Sequence, residues 1–210
     1  MALQMMNDCY KKNYLHYDWL IFFEVDEYIH LKDISNIKNF LGDKKFEKCD
    51  RIQLNWLMHT DNNLLYYDNR SIVERFTERE KKARGVKVGG KKSIKSILKG
   101  HIKRIIINDI HILNGNLKSC DGFGNPKNVT GISTDISDFE YYYIDHYFCK
   151  STEEFINKIN KGDILYSKKN IMERIKTYFK INIITTEKIN LIENRTGLNL
   201  SRFKQFKGLD

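Results

Sequence analysis

The chain has 210 residues, 41% of them hydrophobic and 12% aromatic, with a single proline, and this composition excludes an intrinsically disordered protein. The length suits one sizeable α/β core better than two small ones. A formal net charge of +9 favours anionic partners, such as nucleotide phosphates, anionic lipid head groups or nucleic acid, without choosing among them.

Two features bear on where the protein works. No apolar run approaches the length of a membrane span, and the amino terminus has no signal-peptide pattern, so we expect a soluble, cytoplasmic protein. Peripheral contact with a membrane stays open. The four cysteines Cys9, Cys49, Cys120 and Cys149 have neither C-x-x-C nor disulfide-framework spacing, which predicts free thiols in a reducing compartment.

Periodicity and capping residues predict alternating helices and strands. The bulky apolar run of residues 18–23 predicts a short central strand buried on both faces. Other strands are predicted over 51–58, 102–107 and 141–148, helices over 2–13, 35–42, 151–161, 167–180 and 185–196, and an element of undecided type over 71–77.

Two segments between these elements are predicted to be irregular. The basic, glycine-bearing run of residues 81–104 predicts a flexible cationic loop, which is either a solvated surface or a loop that closes over phosphate. The polar stretch of residues 114–138 predicts a long connection, and loops of that length are often functional.

Three carboxylates follow the first predicted strand. If the chain stays extended there, Glu24 and Asp26 lie on the same side, with Val25 turned back toward the core. Two oxygen ligands at the carboxyl end of a central strand suit Mg²⁺ or Mn²⁺ carrying a phosphate. The alternative is that these acids, with Glu27, cap a turn and pair with surface lysines.

Four stretches of the sequence, taken in chain order, resemble those of a known family. The stretches are D-W-L-I-F-F-E-V-D-E-Y-I, R-I-Q-L-N-W followed by E-R-F-T-E, K-S-I-L-K before His111, and I-D-H-Y-F-C-K-S-T-E-E-F. Together they resemble glycosyltransferase family 92 and family 2-like proteins of the GT-A fold. The resemblance implies an α/β fold with a GT-A-like mixed sheet flanked by helices. It divides the chain into a catalytic portion, residues 1–165, and a helical carboxyl-terminal extension, residues 166–210.

The resemblance also implies the ligands of a divalent cation, Mn²⁺ or Mg²⁺, that holds the diphosphate of a nucleotide-sugar donor. Glu24 and Asp26 take the places of the family's Asp-x-Asp element, with glutamate first, and His146 matches a later metal or diphosphate ligand. A histidine among tyrosines is otherwise more often a hydrogen-bonded core residue.

Other residues match the phosphate side and the base. Lys150 would neutralise phosphate, and Lys95 and His111 match weaker parts of the pattern, although His111 could instead satisfy a carbonyl at a strand end. An inverting transferase needs a carboxylate base, for which Glu27 and Glu74 are available. Aromatic residues that could stack on an acceptor sugar, or pack in the core, are Trp56, Tyr66, Tyr67, Tyr141 and Tyr142.

The function implied is transfer of a sugar to a saccharide or glycoconjugate acceptor. Family members begin with further strand and helix units that hold the nucleotide base, so an inactive or partner-dependent fragment is the first alternative. Missing strands would expose a sheet edge beside residues 18–23 and favour self-association. A basic nucleic-acid-binding module is the second alternative, but the three acids would repel nucleic acid, so no nucleic-acid partner is expected.

Overall fold

The structure is a mixed α/β fold, as the sequence predicts. The computed structural model describes residues 2–79, 94–103, 105–108, 113–114, 117–127, 139–161 and 171–206. The helices are α1 (Ala2–Asn13), α2 (Ile37–Leu41), α3 (Ile72–Arg75), α4 (Thr152–Lys161), α5 (Ile171–Ile181) and α6 (Thr186–Thr196), and the strands are β1 (Trp19–Ile21), β2 (Glu27–Leu31), β3 (Arg51–Met58), β4 (Ile94–Lys99), β5 (Ile106–Ile107), β6 (Leu113–Asn114), β7 (Ser119–Cys120) and β8 (Tyr142–His146).

The main sheet has the strand order β1-β4-β3-β8-β2, and β7 pairs with β3 off this path. The β1–β4, β3–β4 and β2–β8 pairs are antiparallel, whereas β7 runs parallel to β3. The sheet is therefore mixed. Strands β5 and β6 form a separate antiparallel pair. None of the helices in the described ranges combines the length and the apolar character needed to cross a bilayer.

The chain divides into two compact units. The first takes in the described residues of Met1–Leu57 and Ala83–His146, and the second those of Met58–Lys82 and Tyr147–Asp210. The predicted boundary between residues 165 and 166 falls in the range 162–170, outside the described residues, and stays a prediction.

Strand β3, which ends the first segment of the first unit and reaches Met58 of the second, is buried along its whole length. All eight of its residues are buried, so the alternation of polar and apolar residues does not mark a solvent-facing side. Helix α1 covers part of the sheet, where Tyr10 packs against Leu98 of β4 and donates a hydrogen bond to the carbonyl of Lys99 at 2.8 Å. A mixed sheet with a helix packed against it buries enough apolar surface to hold polar residues inside.

Several predicted elements are confirmed. Helix α1 and strand β3 match their predicted ranges, and β8 lies within the predicted strand of residues 141–148. Helix α6 begins after Thr185, whose side chain accepts from the Lys188 N–H, and ends at Gly197 with φ of 69°. Such a left-handed terminus favours glycine because it has no Cβ.

The strand that leads to the acids differs from its prediction. Strand β1 has only three residues, all half-buried, and it ends the strand order of the sheet. A central strand buried on both faces was the wrong prediction, because an apolar run does not distinguish a central strand from an edge strand that a helix partly covers. Phe23, at the end of that run, is 39% exposed.

The prediction of a flexible cationic loop over residues 81–104 is also partly wrong. Residues 94–99 form strand β4 inside the sheet, and Lys95 is buried, whereas residues 80–93 and 104 lie outside the described ones. Pairing with β1 and β3 determines β4, and such tertiary pairing overrides local composition. The strand predicted over 102–107 is reduced to Ile106–Ile107.

Two segments that were predicted to be irregular or were left undecided contain a helix or a strand. The undecided stretch of residues 71–77 contains α3, a short helix. The predicted irregular stretch of residues 114–138 contains β7, which pairs with Arg51 and Ile52 of β3, while 115–116 and 128–138 lie outside the described residues.

The prediction of four free thiols is wrong for one pair. Cys49 and Cys120 form a disulfide, and Cys9 and Cys149 are free. The pairing arises because β7 aligns Cys120 with Ile52, three residues after Cys49, across the parallel β3–β7 pair. Local spacing does not predict this disulfide, since the two cysteines are 71 positions apart in the sequence.

Candidate metal centre

The three acids lie on a turn. The backbone N–H of Glu27 donates to the carbonyl of Glu24 at 3.1 Å, and Val25 at the tip is 90% exposed. The extended geometry predicted for residues 24–26, with Val25 facing the core, is therefore wrong. A four-residue turn allows the side chains of Glu24 and Asp26 to approach without strand alternation.

Glu24, Asp26 and His146 nonetheless come together. One ligand atom from each lies within 4.8 Å of the other two. Asp26 and His146 are buried and Glu24 is exposed, and His146 Nε2 lies 3.8 Å from Asp26 Oδ1. Strand β8 delivers His146, its last residue, directly opposite Glu27, the first residue of β2. The start of one strand and the end of its partner thus meet at the turn.

The chemistry of these donors fits a divalent cation. Two carboxylates and an imidazole are ligands that Mn²⁺ and similar ions accept. A point within about 2.8 Å of all three atoms exists at this spacing, so shifts of under about 1 Å would bring them to the roughly 2.1 Å of a metal–oxygen bond. Glu27 Oε1 is buried beside the turn with no hydrogen-bond partner, and a water molecule bound to a neighbouring ion would supply one.

Glu27 itself is engaged inside the protein. Its Oε2 lies 2.6 Å from Lys95 Nζ, and the side chains of Glu27 and Lys95 are 0% and 3% exposed. The same oxygen accepts the backbone N–H of Glu24 at 2.9 Å. Burial raises the pKa of Glu27 above its ordinary value, and the charge and hydrogen bond of Lys95 oppose that shift.

The side chain of Trp56 on β3 packs against His146 and lies close to Lys95. Its ring centroid lies 4.3 Å from that of His146, and Lys95 Nζ lies 5.8 Å from the Trp56 ring. Lys95 is opposite Leu54 in the β3–β4 pair, so Trp56 and Lys95 project from the same face of the sheet. Glu27, Trp56, Lys95 and His146 thus come from four different strands, β2, β3, β4 and β8.

The remaining predicted site residues are placed differently. His111 lies outside the described residues, so its role stays a prediction. Glu74 and Lys150 belong to the second unit, and their predicted roles stay predictions too. Glu74 is exposed and closes a cap at the start of α3, where Ser71 donates its N–H at 2.9 Å and its hydroxyl at 2.7 Å. Hydrogen bonds from Ser71 lower the pKa of Glu74, which weakens it as a base.

Sequence reasoning missed the pairing of Glu27 with Lys95 and the contact of Trp56 with His146. All four residues belong to the stretches that resemble family 92, but a motif does not say which of its residues touch. One signal was available: Lys95 lies in K-S-I-L-K, whose apolar residues favour a buried strand rather than a loop.

Comparison with known proteins adds no family. No protein-family model matches the sequence, and a search of curated proteins found no match either. The resemblance to family 92 therefore depends on the motifs themselves.

Proposed function

We propose that the protein is a metal-dependent glycosyltransferase with a GT-A-like fold, which moves a sugar from a nucleotide-sugar donor to a saccharide or glycoconjugate acceptor. The observation that supports it best is the cluster of Glu24, Asp26 and His146. The resemblance to family 92 implies that these three residues are metal ligands, and their donor atoms lie within 4.8 Å of one another.

The cluster suits the departure of a diphosphate. A bound Mn²⁺ or Mg²⁺ would supply positive charge where negative charge develops on the leaving group. Asp26 and His146 would hold the ion from the protein side because both are buried, and Glu24 would face the donor because it is exposed. Trp56 removes water from one side of the site, which strengthens these charge interactions.

Other roles belong to this proposal without support from contacts. Lys150 and His111 would neutralise the diphosphate, and Glu74 would take the proton of the acceptor hydroxyl. Glu27 is fully buried and bound to Lys95, so in this arrangement it cannot reach an acceptor.

A cytoplasmic location is also proposed, and the Cys49–Cys120 bond argues against it, since disulfides persist mainly in oxidising compartments.

Thermal melting and donor turnover test the function. We expect UDP or GDP to raise the melting temperature only when Mn²⁺ is present, and Asp26→Asn to abolish that rise. Glu140→Gln, which removes an exposed carboxylate in the same unit, is the matched control and should keep it. Mn²⁺-dependent release of the nucleoside diphosphate from a panel of nucleotide sugars then identifies the donor.

Each outcome has a meaning. A metal-dependent rise without turnover of any donor would favour the inactive or partner-dependent fragment. Nucleic-acid binding that falls steeply with salt and ignores Mn²⁺ would contradict the transferase and favour the basic binding module.

A further inference from the structure

Glu27 closes the turn that carries the proposed ligands in two ways. Its backbone N–H donates to the Glu24 carbonyl at 3.1 Å, and its side-chain Oε2 accepts the Glu24 N–H at 2.9 Å. Two hydrogen bonds therefore link the first and last residues of the turn. The side-chain bond involves a carboxylate, which makes it stronger than a bond to a neutral acceptor.

Lys95 holds that carboxylate in place. The contact of 2.6 Å from Lys95 Nζ is made to Oε2, the oxygen that also accepts from Glu24, and it crosses from β4 to the start of β2. These strands are not neighbours in the sheet, whose order places β3 and β8 between them. The pair thus links the turn to strand β4, which lies beyond β8 and β3 in the sheet.

Stability alone does not account for this pair. Removing two charges from water is costly, and replacing a whole buried ion pair by apolar side chains is often neutral or stabilising. Glu27 also leaves Oε1 buried with no hydrogen bond, a further cost. A role for the geometry of the turn would explain why the pair is buried here.

We propose that Glu27 and Lys95 are positioning residues, which hold the Glu24–Glu27 turn so that Glu24 and Asp26 face His146. The inference depends on the proposed function, because it deepens the account of the same cation site. Neither residue binds the cation: Lys95 anchors Glu27, and Glu27 restrains the backbone of Glu24. Outer-shell partners of this kind typically change metal affinity by about 10–100-fold when they are lost.

A matched pair of double variants tests the proposal. Glu27→Gln/Lys95→Met keeps a side-chain oxygen that can accept the Glu24 N–H, whereas Glu27→Leu/Lys95→Met removes it. Both avoid an unpaired buried charge, so both should fold. The glutamine variant lacks the Lys95 anchor but keeps the acceptor for the Glu24 N–H, so we expect it to lose only part of its Mn²⁺ affinity. The leucine variant lacks both, and we expect a larger loss, of about 10–100-fold relative to wild type. Equal affinities in the two variants would overturn the proposal, because a purely structural pair does not distinguish them.

Amide hydrogen exchange at Glu24 separates this inference from the proposed function. Without metal, we expect the Glu24 N–H to exchange slowly in wild type and the glutamine variant, and much faster in the leucine variant. Unchanged protection in the leucine variant would overturn the positioning role even if Mn²⁺ binds. Failure of wild type to bind Mn²⁺ would instead overturn the proposed function and the metal-positioning role, even where the exchange data confirm the hydrogen bond.

Discussion

Lys188 Nζ lies 2.7 Å from Asp61 Oδ2 in the second unit, and both side chains are 1% exposed. Lys188 also donates to Asn63 Oδ1 at 3.0 Å and to the Ile183 carbonyl at 2.9 Å, so its ammonium group has three kinds of acceptor. Asp61 accepts further from the hydroxyl of Tyr178. A buried charge is tolerated when its donors are satisfied in this way.

Lys188→Met should destabilise the fold strongly. The substitution leaves the Asp61 carboxylate buried without its cation, and breaking a buried pair from one side costs about 3–5 kcal/mol. Urea unfolding should show this as a lower midpoint. Lys180→Met, which removes an exposed lysine from α5, is the control and should change the free energy of unfolding by less than about 0.5 kcal/mol. A small effect at Lys188 would mean that the pair is not closed in solution.

Acid should weaken a second ion pair. Arg75 donates to Glu154 at 2.6 and 3.2 Å. Burial raises the pKa of Glu154, but hydrogen bonds from Arg75 and Ser151 outweigh it and lower the pKa below the ordinary 4.5. The folded state therefore binds this proton less readily than the unfolded state, so the pair stabilises above about pH 4.5 and this contribution disappears as the pH falls through the lowered pKa.

Glu154→Gln checks this pH dependence. We expect the variant to be less stable than wild type at pH 7, by about 1.5–3 kcal/mol, and the difference to shrink toward pH 3. Urea melts at several pH values give both quantities. A difference that stays constant over this range would show that Glu154 does not titrate with folding.

The Cys49–Cys120 bond should contribute to stability. It closes a loop with a sequence separation of 71, for which chain-entropy arguments give about 4 kcal/mol. Reduction, or Cys49→Ser/Cys120→Ser, should lower the melting temperature. Cys9→Ser, which removes an exposed free thiol, should leave it unchanged. Equal stability with and without reductant would show that the bond does not form in the protein tested.

The two free thiols should differ in reactivity. Burial raises the pKa of Cys149 to about 12, whereas Cys9 is exposed. Since the thiolate is the nucleophile, iodoacetamide should label Cys9 in the native protein and leave Cys149 unmodified until the protein unfolds. Mass spectrometry of digested samples measures both sites, and rapid native labelling of Cys149 would contradict its burial.

Local patterns predicted much of the fold. Helix α6 and strand β3 follow from caps, periodicity and apolar runs within a few residues of each element. Strand β1 was misplaced at the centre of the sheet, because its position depends on which strand pairs with it. The same limit applies to β4, which composition alone made a loop, and to Cys49 and Cys120, which meet only through the β3–β7 pair.

The three residues predicted as metal ligands lie close together, but the backbone that brings them together differs from the prediction. Glu24 and Asp26 were expected on one side of an extended strand, but a turn brings them together, with Val25 in solvent. His146 entered through the resemblance alone, since it lies 120 residues from Asp26 and reaches it only because β8 pairs with β2. Lys95 could not be paired with Glu27 by any local rule.

Direct titration with Mn²⁺ is the closest test of the central claim, that Glu24, Asp26 and His146 form one cation site. Calorimetry on the wild-type chain should show one binding site, and Asp26→Asn and His146→Gln should each weaken it by more than about 10-fold, while Glu140→Gln binds as wild type does. A wild-type protein that binds no Mn²⁺, or variants that bind it as tightly as wild type, would contradict the claim.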